Sequence, residues 1–254
     1  MSFRGIPLFL VLTLAFCQQA CAQEFINDAA LWLSVNFEKK INKHFYLQLN
    51  QQNRITENMT TYGRGSADLN VTYRLNKNIR FTGGYVFLKR PLPDNSYTNE
   101  HRFYSAITLK KRLGRWDFTF RNMLQLRFKN IYSSYEGKVP GIYERNKLTV
   151  KYDLNKYFNP YISEELFYPL HKGIQKGLSK SRTAIGCTYR LSSKSQLDLY
   201  FLFQQELNAY NPTNRDFVYG ISFTQELWEL KFPSILSSLL LSGYLKFATF
   251  YKCW

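Results

Sequence analysis

Arginine recurs in this chain at alternate positions of runs whose other positions are apolar. The polar parities carry Arg54, Arg74, Arg80, Arg102, Arg121, Arg127, Arg145, Lys147, Lys151, Arg182 and Arg190. Asp68, Glu100, Asp117 and one of the Glu164–Glu165 pair share those parities. A guanidinium is a planar fork that fits carboxylates and phosphates, so a row of them on one inner face would make a basic, anion-attracting lumen. A quieter arrangement is open to the same residues. A narrow interior is filled by its own side chains, and arginine–carboxylate pairs then satisfy one another. The excess of cations over acids on these parities keeps the pore reading open beside it. The densest cluster is Glu100-x-Arg102 with Arg121, Gln125 and Arg127.

Catalysis needs a nucleophile beside a base. Outer-membrane hydrolases that use Ser–His would need a histidine near the outer leaflet, and the chain has only His44, His101 and His171. His101 beside Glu100, with Ser105 four residues on, is the best such group and a poor one. No Gly-rich phosphate loop, EF-hand or zinc spacing appears, so neither a cofactor nor a metal is expected.

The elements that must position these residues are long strands. Trp116 to Phe128 reads W-D-F-T-F-R-N-M-L-Q-L-R-F. One parity carries Trp116, Phe118, Phe120, Leu124, Leu126 and Phe128, broken only by Asn122; the other carries Asp117, Thr119, Arg121, Met123, Gln125 and Arg127. A strand puts alternate side chains on opposite faces, whereas a helix would scatter both sets. The run exceeds the roughly nine to eleven residues that a tilted strand needs to cross a bilayer. Apolar-out, polar-in, with aromatics at both ends of the apolar face, is the transmembrane barrel pattern.

The same pattern repeats over His44–Arg54, Ser66–Arg74, Ile79–Leu88, Glu100–Lys110, Tyr143–Tyr152, Tyr157–Tyr168, Ser181–Arg190, Ser195–Glu206 and Arg215–Leu227. Short turns alternate with long loops, among them Ile55–Gly65 and Lys89–Asn99. Alternation weakens at Glu164–Glu165, as a bulge would make it. The expected fold is all-β: a transmembrane antiparallel up-and-down β-barrel of ten to twelve strands. Ten strands would put both wall ends in the periplasm and leave Ala29–Phe37 surplus, to plug the lumen, line the rim or join the wall. With the Lys111–Gly114 turn centred near residue 112.5, Arg102 would face Met123 and Glu100 would face Gln125.

Residues 1–22 read as a cleaved signal peptide: Arg4, an apolar core from Ile6 to Phe16, and Ala20-Cys21-Ala22 before Gln23. Residues 23–227 form the expected barrel, and 228–254 stay unassigned, with Leu239–Tyr251 a possible extra strand. Removing the leader leaves Cys187 and Cys253, too few for a disulfide framework. The formal charge is +16, and 17% of residues are aromatic. Such a charge can mean nucleic acid. Here the basic residues stand singly along strands and the chain carries an export leader, so no nucleic-acid partner is expected. The expected surroundings are outer-membrane lipid, lipopolysaccharide phosphates at basic outer loops, and small anionic solutes in the lumen.

Trp32, Arg54, Gly84-Tyr85, Glu100-x-Arg102, Arg121 with Gln125-x-Arg127, Glu144-Arg145, Glu164-Glu165 and Arg182, in this order and spacing, resemble the bacterial family catalogued as domain of unknown function 2490. The resemblance covers about Ala29 to Leu227 and implies an outer-membrane barrel. It implies no catalytic residues.

Overall fold

The computed structural model describes residues 25–92, 94, 96–129, 140–170, 177–207 and 213–227. The expected leader and the segment after Leu227 lie outside the described residues.

Eleven strands run in chain order: β1 (Phe25–Lys40), β2 (Phe45–Thr56), β3 (Thr61–Arg74), β4 (Ile79–Pro91), β5 (Tyr97–Leu113), β6 (Trp116–Lys129), β7 (Gly141–Tyr152), β8 (Phe158–Pro169), β9 (Lys180–Arg190), β10 (Ser195–Glu206) and β11 (Thr213–Leu227). Each pairs antiparallel with its sequence neighbour, and β1 closes the ring against β11. Closure removes every free edge, which is what lets strands cross hydrocarbon. Outward positions are apolar and exposed, such as Leu69, Val71, Ile107, Phe120, Leu148, Ile185, Leu199 and Ile221. Cross-strand aromatic pairs sit next to the short turns: Phe45–Tyr73, Trp116–Tyr152 and Phe158–Tyr189, with ring centroids 5.1, 4.7 and 4.7 Å apart. His101 with Phe87, and Phe103 with Phe128, mark the opposite end. This is an all-β transmembrane barrel with aromatic girdles at both interfaces.

Four short turns use one device. The Asn42, Asn76 and Asn155 side-chain oxygens and the Ser192 hydroxyl each accept two backbone N–H groups, two and three residues on. Asn and Ser form such side-chain turns readily. The sequence repeats accordingly, with Leu75-Asn76-Lys77 matched by Leu154-Asn155-Lys156.

Several expectations need correction. The segment holding Ala29–Phe37 is not surplus: β1 is a full wall strand, paired antiparallel with β2 and parallel with β11. An odd strand number forces one parallel pair, so β1 starts at the long-loop end while β11 finishes at the short-turn end. The two wall ends therefore lie at opposite rims. Ile55–Gly65 and Lys89–Asn99 hold much strand: β2 and β3 continue to a turn at 57–60, while β4 runs on to Pro91 and β5 begins at Tyr97. Strict alternation of short and long connections fails there. Polar side chains beyond the bilayer band let those strands run on without an apolar pattern to announce them. Glu57, Asn58 and Met59 all have positive φ in that turn. The expected bulge at Glu164–Glu165 is absent, since β8 pairs without interruption on both sides. The register shift lies instead between Arg54 and Ile55.

The β5–β6 register also differs. Leu113 pairs with Trp116 around Gly114-Arg115, and Gly114 has φ +58°. Glycine at the first central position suits a tight two-residue hairpin turn. Arg102 therefore faces Arg127 rather than Met123, and Glu100 faces Lys129 rather than Gln125. The displacement is an even number of residues, so every side chain keeps its expected face.

Candidate functional site

Arg54, Arg80, Arg102, Arg121, Gln125 and Arg145 line a cavity of about 750 Å³ with Asn50, Asp68 and Tyr104. Toward the long loops, Arg64, Arg102, Arg127, Arg182, Lys180 and Glu206 line a second cavity of about 310 Å³ with Tyr143 and Phe167. Arg102 borders both and belongs to a layer of guanidinium groups.

That layer is held by two buried carboxylates. Arg102 Nε donates to Glu100 Oε1 at 2.8 Å. Glu165 takes Arg121 and Arg145 on Oε1 at 2.7 and 2.8 Å, and Arg182 stands 3.6 Å from its Oε2. Regular alternation along β8 sends Glu165 inward, where it is 5% exposed, and Glu164 outward, where it accepts the Thr183 hydroxyl. Arg121 is thus the partner of Glu165, three strands round from Glu100. The expected grouping of Arg121 with Glu100 and Arg102 does not form. Gln125, 2% exposed, accepts instead from Arg127 Nε at 3.1 Å.

Aromatic faces carry other guanidinium groups. Arg54 lies 3.4 Å and Arg182 5.3 Å from the Trp32 ring centroid. Arg145 and Arg182 each stand 4.7 Å from Phe167, and Arg127 stands 3.9 Å from Tyr143. A ring face attracts a cation through its quadrupole without cancelling the charge.

Two lumen acids are engaged elsewhere. The Tyr104 hydroxyl donates to Asp68 at 2.9 Å, and the Tyr161 hydroxyl to Asp198 at 2.9 Å. Each tyrosine lies across a glycine of the intervening strand. A Cβ on Gly84 would fall inside the Tyr104 ring, and one on Gly186 would meet Tyr161. Tyr200 covers Gly220 in the same way. Beside Tyr200, the side chains of Ala30, Trp32, Ala184, Leu202 and Val218 pack as an apolar cluster on the lumen side of β9, β10, β11 and β1. The larger cavity is lined mainly by β2 to β6.

Sequence reasoning missed Arg64, assigned to a loop, and the tyrosine–glycine pairs. Arg64 could have been found only by knowing that β3 starts at Thr61. The Gly84 signal was visible as a close backbone approach, but its Tyr104 partner is set by register. The possible catalytic group does not assemble: His101 points outward and bonds the Tyr85 hydroxyl through Nδ1 at 2.7 Å, while Glu100 points inward. Among the described residues no group of His, Cys, Asp and Glu could hold a metal ion.

A family model described as protein of unknown function (DUF2490) matches residues 29–215, nearly the whole wall. The chain belongs to this family. No curated protein matches it. Among solved structures, the NanC porin is similar at 11% identity over 77% of this chain and 95% of that one, with a TM-score of 0.47. An anion-selective porin from Comamonas acidovorans is similar at 10% identity over 73% of this chain and 54% of that one, with a TM-score of 0.37. In this DUF2490 barrel several of the residues that carried the family resemblance meet: Arg54 and Arg182 lie over Trp32, Arg102 meets Glu100, and Arg121, Arg145 and Arg182 converge on Glu165.

Proposed function

We propose that this DUF2490 protein is an outer-membrane channel-type barrel that passes or binds small anionic solutes through its basic lumen. One observation carries the reading. Arg102 stands directly across from Arg127, and Arg54 directly across from Arg64, on paired strands. Like charges directly opposite one another in a sheet are destabilising. Two such pairs at one level of a confined lumen make sense where an anion passes between them, because each solute carboxylate or phosphate relieves the repulsion. Few acids offset the layer: Asp68 and Asp198 are engaged by tyrosines, and the single carboxylate of Glu165 is shared by three arginines. The leader over residues 1–22 supplies export, and the apolar outer wall supplies retention in the outer membrane. Basic loops then meet lipopolysaccharide phosphates at the cell surface. Catalysis and nucleic acid have no part in this reading.

The competing reading is a barrel sealed by its own side chains that serves as a structural or partner-binding element. It rests on the packed cluster around Trp32 and Val218. Purified protein in planar bilayers under a salt gradient separates the two. The channel reading expects discrete conductance with a reversal potential on the anion side. Silent bilayers favour the sealed barrel, and a cation preference would overturn the anionic reading.

A further inference from the structure

The outer wall is not uniformly apolar. On β10, β11 and β1 every outward position from Leu197 to Phe203, Phe217 to Phe223 and Leu31 to Phe37 is apolar or tyrosine. On the opposite side, midway along β6 and β7, Asn122, Glu144 and Asn146 share the outward face. Asn122 and Asn146 are direct cross-strand partners. Asn122 Nδ2 donates to Glu144 Oε1 at 2.7 Å and to Asn146 Oδ1 at 2.8 Å, and Asn146 Nδ2 donates to Glu144 Oε1 at 3.2 Å. Glu164, bonded to Thr183, continues the polar stretch onto β8 and β9.

Hydrocarbon offers these groups nothing, and polar side chains at membrane depth cost free energy unless they are paired. The internal bonds leave a specific remainder. Both Asn122 N–H groups are used, but its Oδ1 accepts no hydrogen bond among the described residues. Among the described residues Asn146 has the converse remainder, one N–H still to donate, and Glu144 accepts on Oε1 alone.

We infer that a second copy of this chain docks here, about a twofold axis along the membrane normal between β6 and β7. The reason is the complementarity of the remainders. Such an axis exchanges the two strands, because an isologous contact brings residue i to residue j and j to i. It sets Asn146 of each copy against Asn122 of the other. The spare Asn146 N–H then meets the spare Asn122 Oδ1, twice over. An acyl chain has neither donor nor acceptor, and lipid head groups lie at the rims rather than mid-wall. Both copies insert with the same side outward, as this axis requires. The inference rests on the wall facing lipid but not on whether the lumen conducts.

The test uses the full chain in lipid nanodiscs, with its native cysteines changed to serine. Native mass spectrometry should give a two-chain mass. Asn122→Cys on one tagged copy should form a disulfide with Asn146→Cys on another, and Leu33→Cys on the apolar side should not. The triple variant Asn122→Leu/Glu144→Leu/Asn146→Leu removes the whole polar group without leaving the Glu144 carboxylate unpaired, so it should keep heat-modifiable barrel mobility while dimerisation weakens about tenfold or more. A single-chain mass at every protein-to-lipid ratio would overturn the inference. So would a dimer untouched by the triple variant, or a lipid adduct held at Asn122 by a single chain. Failure to enter nanodiscs at all would instead strike at the membrane reading itself.

Discussion

Arg102 and Arg127 face each other directly across the β5–β6 pair, and among the described residues only Arg102 has a carboxylate, Glu100, on it. Arg127 is held by the amide of Gln125 and the ring of Tyr143. Neither partner removes its charge. Arg127→Gln should therefore reduce anion preference more than Arg190→Gln, which lies near the short-turn rim. Reversal potentials in planar bilayers would measure this, and equal shifts for the two variants would remove the Arg102–Arg127 pair from the selectivity layer.

Glu100→Ala should lower stability and raise anion preference. The carboxylate is 5% exposed and holds Arg102, so its loss leaves a confined cation beside Arg127. Arg102→Ala should do less harm, because it relieves the facing pair. Urea unfolding midpoints and selectivity of both variants test the order; an unchanged Glu100→Ala protein would show that this carboxylate is neither a structural nor an electrostatic centre.

Glu165 should matter more than its sequence neighbour. Three arginines converge on it, so Glu165→Gln leaves buried cations uncompensated, at a cost of roughly 3–5 kcal/mol. Glu164 faces outward and bonds only Thr183, and Glu164→Gln should change stability little. Denaturant titrations of the two variants side by side would decide it.

Gly84→Ala should destabilise the barrel by about 1–3 kcal/mol through the collision with Tyr104. Removing the ring should recover much of that loss, so Tyr104→Ala and Gly84→Ala should be non-additive. A double-mutant cycle on unfolding midpoints measures the coupling. Strict additivity would mean that Tyr104 does not lie over Gly84 in the membrane.

The sequence by itself determined which face each residue takes. Side-chain alternation has a period of two, so apolar and charged parities can be read without knowing a single strand partner. The inward placing of Arg54, Arg121 and Arg182, and the outward break at Asn122, follow from that alone. The barrel class follows too, since strands of this length and pattern have no stable home but a closed sheet in lipid. Partnership could not be read. Which arginine meets which acid depends on register, and register here turns on whether the β5–β6 hairpin closes at Lys111–Gly114 or at Gly114-Arg115. That small difference keeps every face yet moves Arg102 from Met123 to Arg127, and the registers on both sides of β7 bring Arg121 to Glu165 in one row through Lys147. Ring closure likewise decided the place of β1. Its residues Ala29–Phe37 carry a strand pattern locally, but only the completed wall supplies β11 as their parallel partner.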